Sequence, residues 1–434
     1  MLATPELICE ATQRNRVLEV VPRWLEEIPL YRDRKVSPGS LPGSGTEFLV
    51  SLPLIRKEDI RQEFPLNFLE SEAELDRMID GGFLELEHTA GTSEQRTPLL
   101  LPLGWWAEQE LRALKLNPYV EAELEHNPEA RRVTLSSPVC SGDICYTGTP
   151  SRNERVLGNA LFVNLSRCPF LWSESELDRM ARETVEWNPV LLDLDPVYGV
   201  AFARYCEQRG IRLPSLRFII CSYEFVSIVH RRLLERVFGV PVFNLYGSTE
   251  TGHLMMENPL FNGVAGSRAE MQGSCETAYF EVLNPDAQGV GELVLTTLTN
   301  PIMPLIRYSI GDLVEREEPP FGTRYRVHGR AADAFKTATG RRVTTWQVDQ
   351  CFAGLEGFVH YQLAQGQEHW KLRFVADKLA PNEETKQELA WRLGMLLEAR
   401  GQLTLEATDL LMPESSGKFR LGYPARNIAA TLSK

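Results

Sequence analysis

Long apolar runs are missing from this chain. None reaches the roughly 18 residues that a membrane-spanning helix needs, so no membrane partner is expected. The start, Met1-Leu-Ala-Thr-Pro-Glu-Leu7, lacks a basic stretch followed by an apolar core, so no secretory signal is expected from it. Positive charge is also short. Lys and Arg number 46 against 59 Asp and Glu, a formal net charge of −13. That balance argues against a nucleic-acid partner, which wants a basic face. The eight cysteines stand at 9, 140, 145, 168, 206, 221, 275 and 351, with only Cys140 and Cys145 close together. A lone pair at that spacing is a poor zinc signature, and reduced thiols in a cytoplasmic protein are expected. Internal repeats, low-complexity tracts and a Walker phosphate loop are absent too. What is present, 43% hydrophobic and 24% charged residues over 434 positions, suits a globular protein with more than one core.

Apolar periodicity divides the chain into elements. Residues 5–30 read as helix, with Thr4 able to cap, Pro5 in the first turn and Val17, Val20, Val21 and Trp24 as the apolar stripe. Pro22 is expected to kink or split that helix. Residues 36–47 read as loop, 71–78 as a short helix capped by Ser71, 105–114 as another helix, and 132–135 as a strand. Residues 174–185 and 195–209 have helical spacing. Next comes a β–α–β pattern, with strands at 216–222 and 240–245 around a helix at 225–238. The last hundred or so residues change character. They read as a helix at 345–352, paired strands at 359–363 and 371–375, an amphipathic helix at 381–400 and a strand at 403–406. The expected fold class is α/β: a large N-terminal αβ domain with mixed or parallel sheets, residues 1–330, and a small C-terminal α+β domain, residues 331–434.

The β–α–β pattern matters because such units bind ligands beyond the carboxyl ends of their strands. Asn244-Leu-Tyr-Gly-Ser-Thr-Glu-Thr-Gly252 leaves the second strand at that place, and it reads as a loop. Tyr246 offers a flat ring for a base, Thr249 a hydroxyl for a phosphate, and Glu250 a carboxylate for Mg²⁺. Taken alone, the segment is equally a polar turn. Four further segments accompany it: Thr89-Ala-Gly-Thr-Ser-Glu-Gln-Arg-Thr-Pro98, Arg307-Tyr-Ser-Ile-Gly-Asp312, Gly329-Arg-Ala-Ala-Asp-Ala-Phe-Lys336 and Pro413-Glu-Ser-Ser-Gly-Lys-Phe-Arg420. In this order and spacing the five resemble the adenylate-forming superfamily of acyl-CoA synthetases and adenylation domains. Together with Pro53-Leu-Ile-Arg-Lys-Glu-Asp-Ile-Arg-Gln-Glu-Phe-Pro65, the chain looks most like the compact phenylacetate–CoA ligase branch.

The resemblance implies an ATP-dependent ligase that turns a carboxylic acid into an acyl-adenylate, releases pyrophosphate, and hands the acyl group to a thiol such as CoA. It also implies that the small domain is mobile. ATP and Mg²⁺ are the implied cofactors, and the acid is first expected to be aromatic. Thr89, Gly91, Thr92, Ser93 and Arg96 are the implied phosphate loop, although Glu94-Gln95-Arg96 replaces the family's usual second glycine and lysine. Tyr246, Gly247 and Ser248 belong to the nucleotide site, with Thr249 at the α-phosphate, Glu250 on the metal, and Asp312 and Arg330 on the ribose. Asp333 matches the hinge, and Lys418 the catalytic lysine. For the acyl pocket Tyr223 and His253 are the named candidates, with Tyr146, Trp172 and Tyr198 beside them; each also reads as a core residue. His253 and Cys275 are too few for a zinc site. Three readings stay open: transfer to CoA, transfer to a carrier protein or an amine, and a degenerate nucleotide-binding relative without catalysis. The oligomeric state is left open as well.

Overall fold

The structure is a computed structural model, and it describes residues 5–34, 46–89, 96–138, 150–261, 270–318, 322–367 and 369–425. The chain divides into two compact units: Met1–Glu125 with Asn244–Val327, and His126–Phe243 with His328–Lys434.

In the first unit the expected N-terminal helix forms as Pro5–Glu27 and continues through Pro22 instead of splitting there. Proline removes one helical hydrogen bond and crowds the preceding turn. Burial of Val17, Val21, Trp24 and Leu25 offsets that loss and holds the helix together across it. These residues share a core with a sheet whose strands run Ala278–Leu283, Val290–Thr297, Tyr308–Glu317, Arg324–Arg330, Glu270–Gly273, Gly252–Glu257 and Val242–Ser248. The outer pairs of this sheet are antiparallel. Leu84–His88 and Pro98–Pro102 pair antiparallel as a separate two-stranded sheet. The helix expected at 105–114 is Trp105–Leu114, and the one near 71–78 is Glu72–Asp80, capped by the Ser71 hydroxyl, which accepts the Glu74 N–H at 3.3 Å.

The second unit is built on parallel strands. Phe218–Cys221, Leu191–Leu194, Arg132–Leu135 and Ala160–Phe162 lie side by side in that order, with Val156–Leu157 as an antiparallel edge. Leu191–Leu194 and Phe218–Cys221 are buried at every position, as strands covered on both faces must be. Helices Glu174–Trp187, Pro196–Arg209 and Ile228–Phe238 supply the cover. The C-terminal part forms its own four-stranded sheet, ordered Leu403–Ala407, Trp370–Ala376, Phe358–Gln365 and Gly422–Tyr423, backed by helix Glu383–Leu396. The fold is α/β with a smaller C-terminal α+β region, as expected. Among the described residues no helix is long and apolar enough to cross a membrane.

Within the second unit, the N-terminus of helix Ile228–Phe238 is clasped by groups from the C-terminal part. The Asp349 carboxylate accepts the Ile228 N–H at 2.9 Å, the Tyr361 hydroxyl at 3.0 Å, and the Ser227 hydroxyl. His230 Nε2 lies 3.0 Å from His360 Nδ1. Because His230 Nδ1 accepts the Ser227 N–H, its Nε2 carries the proton and donates to His360. Burial pushes His230 down to about 3, and burial plus the neighbouring imidazole hold His360 well below its ordinary value. Both rings are neutral when folded and charge on unfolding. Their contribution is therefore complete above pH 6.5 and is lost as pH falls below it. A His360→Gln variant should close the stability gap to wild type by about 1.4 kcal/mol for each pH unit below 6.5, read as urea unfolding at a series of pH values.

Candidate active site

The segment expected to be a loop after Leu245 is a tight hairpin. Strand Val242–Ser248 runs through Tyr246, the chain turns at Thr249–Thr251, and Gly252–Glu257 returns antiparallel. Gly247 makes this possible, since a Cβ there would stand 2.2 Å from the Gly252 carbonyl oxygen. Gly252 has φ +69°, which turns the return strand under the first. The Ser248 and Thr251 hydroxyls are 3.0 Å apart across the turn. His253 consequently sits in the return strand, its ring 5.0 Å from that of Trp106.

The hairpin meets a second irregularity in strand Tyr308–Glu317. Opposite strand Val290–Thr297, Glu292 pairs with Leu313 and Val294 with Ser309, so Ile310, Gly311 and Asp312 bulge out opposite a single residue. Gly311, at φ +86°, permits the bulge. Asp312 is thereby aimed at the hairpin, and its Oδ2 accepts the Tyr246 hydroxyl at 2.7 Å.

Glu250, at the hairpin tip, is 4% exposed. It is a buried carboxylate in the turn between the two strands. Its Oε1 accepts the Tyr308 hydroxyl at 2.8 Å and lies 3.1 Å from Lys57 Nζ. Burial alone would raise the Glu250 carboxyl, but the Lys57 ammonium and the Tyr308 hydroxyl outweigh it and hold the group below the usual value. Tyr308 is held well above its ordinary value, by burial and then by the Glu250 charge, so it remains a donor. Lys57 arrives through backbone pairing. The Ile55 N–H donates to the Arg307 carbonyl at 3.0 Å, the Ser309 N–H donates to the Ile55 carbonyl at 2.9 Å, and a short helix, Lys57–Arg61, begins just after. Arg307 has φ +51°. Its guanidinium holds that conformation by donating to the carbonyls of Val50 and Leu52, at 2.9 and 2.6 Å, and pairing with Glu281 at 3.0 Å. Arg307 therefore serves the frame of the site. Roles for Lys57 and Tyr308 were not read from the sequence, although both lie inside segments that were singled out there.

Thr89 is buried. Its N–H donates to the Thr97 carbonyl at 2.9 Å and its hydroxyl accepts the Thr97 N–H at 3.0 Å, closing the base of the expected phosphate loop. Arg96 is exposed beside it. Gly91, Thr92 and Ser93 lie outside the described residues, as does Tyr146.

The remaining candidates belong to the second unit. Lys418 Nζ donates to the Tyr223 carbonyl at 3.1 Å, and the Glu224 carboxylate accepts the Phe419 N–H at 2.5 Å. Tyr223 has φ +73° and its hydroxyl donates to Asp193 at 3.2 Å. Gly417, at φ +83°, leaves no room for a side chain: a Cβ would lie 2.0 Å from Ser137 Oγ. That hydroxyl donates to the Ser416 carbonyl at 2.9 Å, and the Tyr198 hydroxyl donates to the Gly417 carbonyl at 3.2 Å. Tyr198 and Trp172 are core residues, packed edge to face at 5.8 Å. Asp333 sits in the turn Ala331–Asp333 and pairs with Arg420, while Arg330 ends the preceding strand with its side chain exposed. No group of three or more His, Cys, Asp or Glu among the described residues is placed to hold a metal.

The structure of 2-hydroxyisobutyryl-CoA ligase in its postadenylation state covers 98% of this chain and 90% of its own, with a TM-score of 0.68 at 16% identity. The likeness to that ligase is one of fold. An anthranilate CoA ligase in complex with anthranoyl-AMP shares this ligase fold over 80% of the chain and 67% of its own, with a TM-score of 0.56 at 13% identity. In sequence the chain is phenylacetate–CoA ligase-like: it is 26% identical over 321 residues to the phenylacetate-coenzyme A ligase of Thermus thermophilus. That match takes in 70% of this chain and 64% of the length of the Thermus enzyme. No protein-family model matches the chain.

Removing one donor from the buried Glu250 should be costly. Tyr308→Phe is expected to lower unfolding stability by about 1.5–3 kcal/mol, the worth of a hydrogen bond to a charged group, as measured by urea titration.

Proposed function

We propose that this protein activates a carboxylic acid with ATP, forming an acyl-adenylate and pyrophosphate, and then passes the acyl group to a thiol such as CoA. The observation that carries the reading is the bond between Tyr246 and Asp312, which joins an aromatic ring and a carboxylate 66 positions apart in sequence at 2.7 Å. A ring that a base can stack on, tied to a carboxylate able to accept two ribose hydroxyls, is a nucleoside platform. The Thermus relative is a coenzyme A ligase, and two neighbours of the same fold were solved with acyl-adenylates bound. Both facts support the same chemistry.

The reaction joins a carboxylate oxygen to the α-phosphorus and breaks the bond to the β-phosphate, so pyrophosphate leaves with its electrons. Attack by a thiol on the acyl carbon then releases AMP. Charge builds on phosphate oxygens in the first step, and cations and fixed donors supply the catalysis. Lys418 is assigned the ammonium that meets the carboxylate and the α-phosphate, Thr249 a hydroxyl at that phosphate, and Arg330 a ribose contact. Gly247 and Ser248 shape the hairpin beneath the nucleotide. Thr89 and Arg96 frame a phosphate loop to which Gly91, Thr92 and Ser93 are assigned.

Glu250 fits a magnesium ion, which commonly takes one or two protein carboxylates and fills its remaining positions with phosphate oxygens and water. The Lys57 ammonium, 3.1 Å from Glu250 Oε1, already compensates that carboxylate, so the ion would share it with a resident cation. When bound, the ion supplies charge neutralisation at the phosphates. Asp333 is assigned the hinge on which residues 331–434 turn between the two half-reactions. Tyr223 and His253 are carried as acyl-pocket residues, the acid as aromatic, the acceptor as CoA or a carrier protein, and the setting as cytoplasmic.

Pyrophosphate–ATP exchange over a panel of aryl and alkyl carboxylic acids tests the reading. At least one aromatic acid should support exchange that depends on Mg²⁺; orthophosphate as the product would contradict the assignment. Lys418→Ala should slow adenylation about 10²–10³-fold while still using a chemically supplied acyl-adenylate. Asp312→Ala should weaken ATP binding by about 1.5–3 kcal/mol, roughly ten- to 150-fold in Kd, by calorimetric titration.

A further inference from the structure

Lys418 is held in the second unit by more than its own hydrogen bond. Two consecutive residues, 418 and 419, are gripped by two consecutive residues, 223 and 224. The Tyr223 carbonyl takes the ammonium and the Glu224 carboxylate takes the next backbone N–H, so the lysine's stem and head are fixed from one short segment. The left-handed conformation of Tyr223, unusual for a residue with a side chain, is what presents both acceptors together. Behind them lies Asp195, 1% exposed. One of its oxygens caps helix Pro196–Arg209 by accepting the Val197 N–H at 2.9 Å; the other, Oδ2, is buried without a hydrogen-bond partner. A buried carboxylate oxygen with no donor is costly unless a cation lies near. The Lys418 charge acts on both Asp195 and Glu224, and Arg330 acts on Glu224 as well.

We propose that Glu224 is a positioning residue for Lys418, fixing the lysine's place through the Phe419 N–H, with Asp195 as the buried counter-charge that favours an ammonium there. The proposal rests on the assignment of Lys418 to adenylation and adds the device that sets it. Burial, followed by the charge of Asp195, holds Glu224 well above the usual carboxylate range. Burial likewise pushes Asp195 up to about 7 against the pull of its helix amides and of Lys418. Two crowded carboxylates facing one lysine is the arrangement expected if the ammonium is needed to settle them.

The test separates positioning from plain structural support. Glu224→Ala removes the acceptor, whereas Glu224→Gln keeps an acceptor for the Phe419 N–H. Positioning predicts that Glu224→Ala lowers kcat for acyl-adenylate formation tenfold or more, with KM for ATP within twofold of wild type. Thioester formation from supplied acyl-adenylate should be unchanged, and Glu224→Gln should recover most of the lost rate. Asp195→Asn, which keeps the helix cap, should show the same split between half-reactions. Equal loss in both half-reactions with a lowered Tm in both Glu224 variants would overturn the proposal in favour of a structural role. Full adenylation by Glu224→Ala, alongside a crippled Lys418→Ala, would overturn it and leave the proposed function standing. Full adenylation by Lys418→Ala would bring down that function and the positioning role with it.

Discussion

A carboxylate taken out of water must be given a cation or donors, and much of this molecule is arranged around that requirement. Glu250 is buried at a hairpin tip, and its solution is assembled from far along the chain: a lysine at 57 and a tyrosine at 308. Meeting it constrains the backbone. Ile55 must pair beside Tyr308, Arg307 must take a left-handed conformation, and the Arg307 guanidinium must satisfy the carbonyls that lie around it. The bulge at Gly311 then brings Asp312 to Tyr246 within the same unit. In the second unit the requirement recurs at Asp195 and Glu224, with Lys418 as the charge that answers it. Each unit therefore keeps polar groups in low dielectric, where electrostatic interactions are strongest.

Much of the fold was legible because local chemistry and periodicity agreed. Helix Trp105–Leu114 follows its apolar spacing from end to end, Ser71 caps where a serine should, and Arg132–Leu135 is the strand expected. The C-terminal strands and helix fell within a few residues of their expected bounds, since strong alternation leaves little choice of register. What escaped the sequence had non-local causes. Strand Gly252–Glu257 was hidden because Gly247 and Gly252 punctuate like a loop, yet here they let two strands approach closely. Pro22 suggested a break that tertiary burial overrides.

The site was legible to a different degree. Tyr246, Glu250, Asp312 and Lys418 were named from motif order, and the first three lie close together in one unit. Their partners were not. Lys57, Tyr308, Asp195 and Glu224 become visible only when distant segments are folded, because a lysine that neutralises a glutamate 193 positions away leaves no local pattern. Asp195 was read as the start of a helix, which it caps, but the oxygen left over from that task cannot be seen in a sequence.

Isotope transfer bears most directly on activation of an acid at the α-phosphate. A carboxylic acid labelled with heavy oxygen in its carboxylate is turned over with ATP, Mg²⁺ and CoA, and the phosphorus-containing products are weighed by mass spectrometry. Adenylation predicts AMP carrying one heavy oxygen and pyrophosphate carrying none. Heavy oxygen in orthophosphate, or turnover that leaves AMP unlabelled, would contradict it.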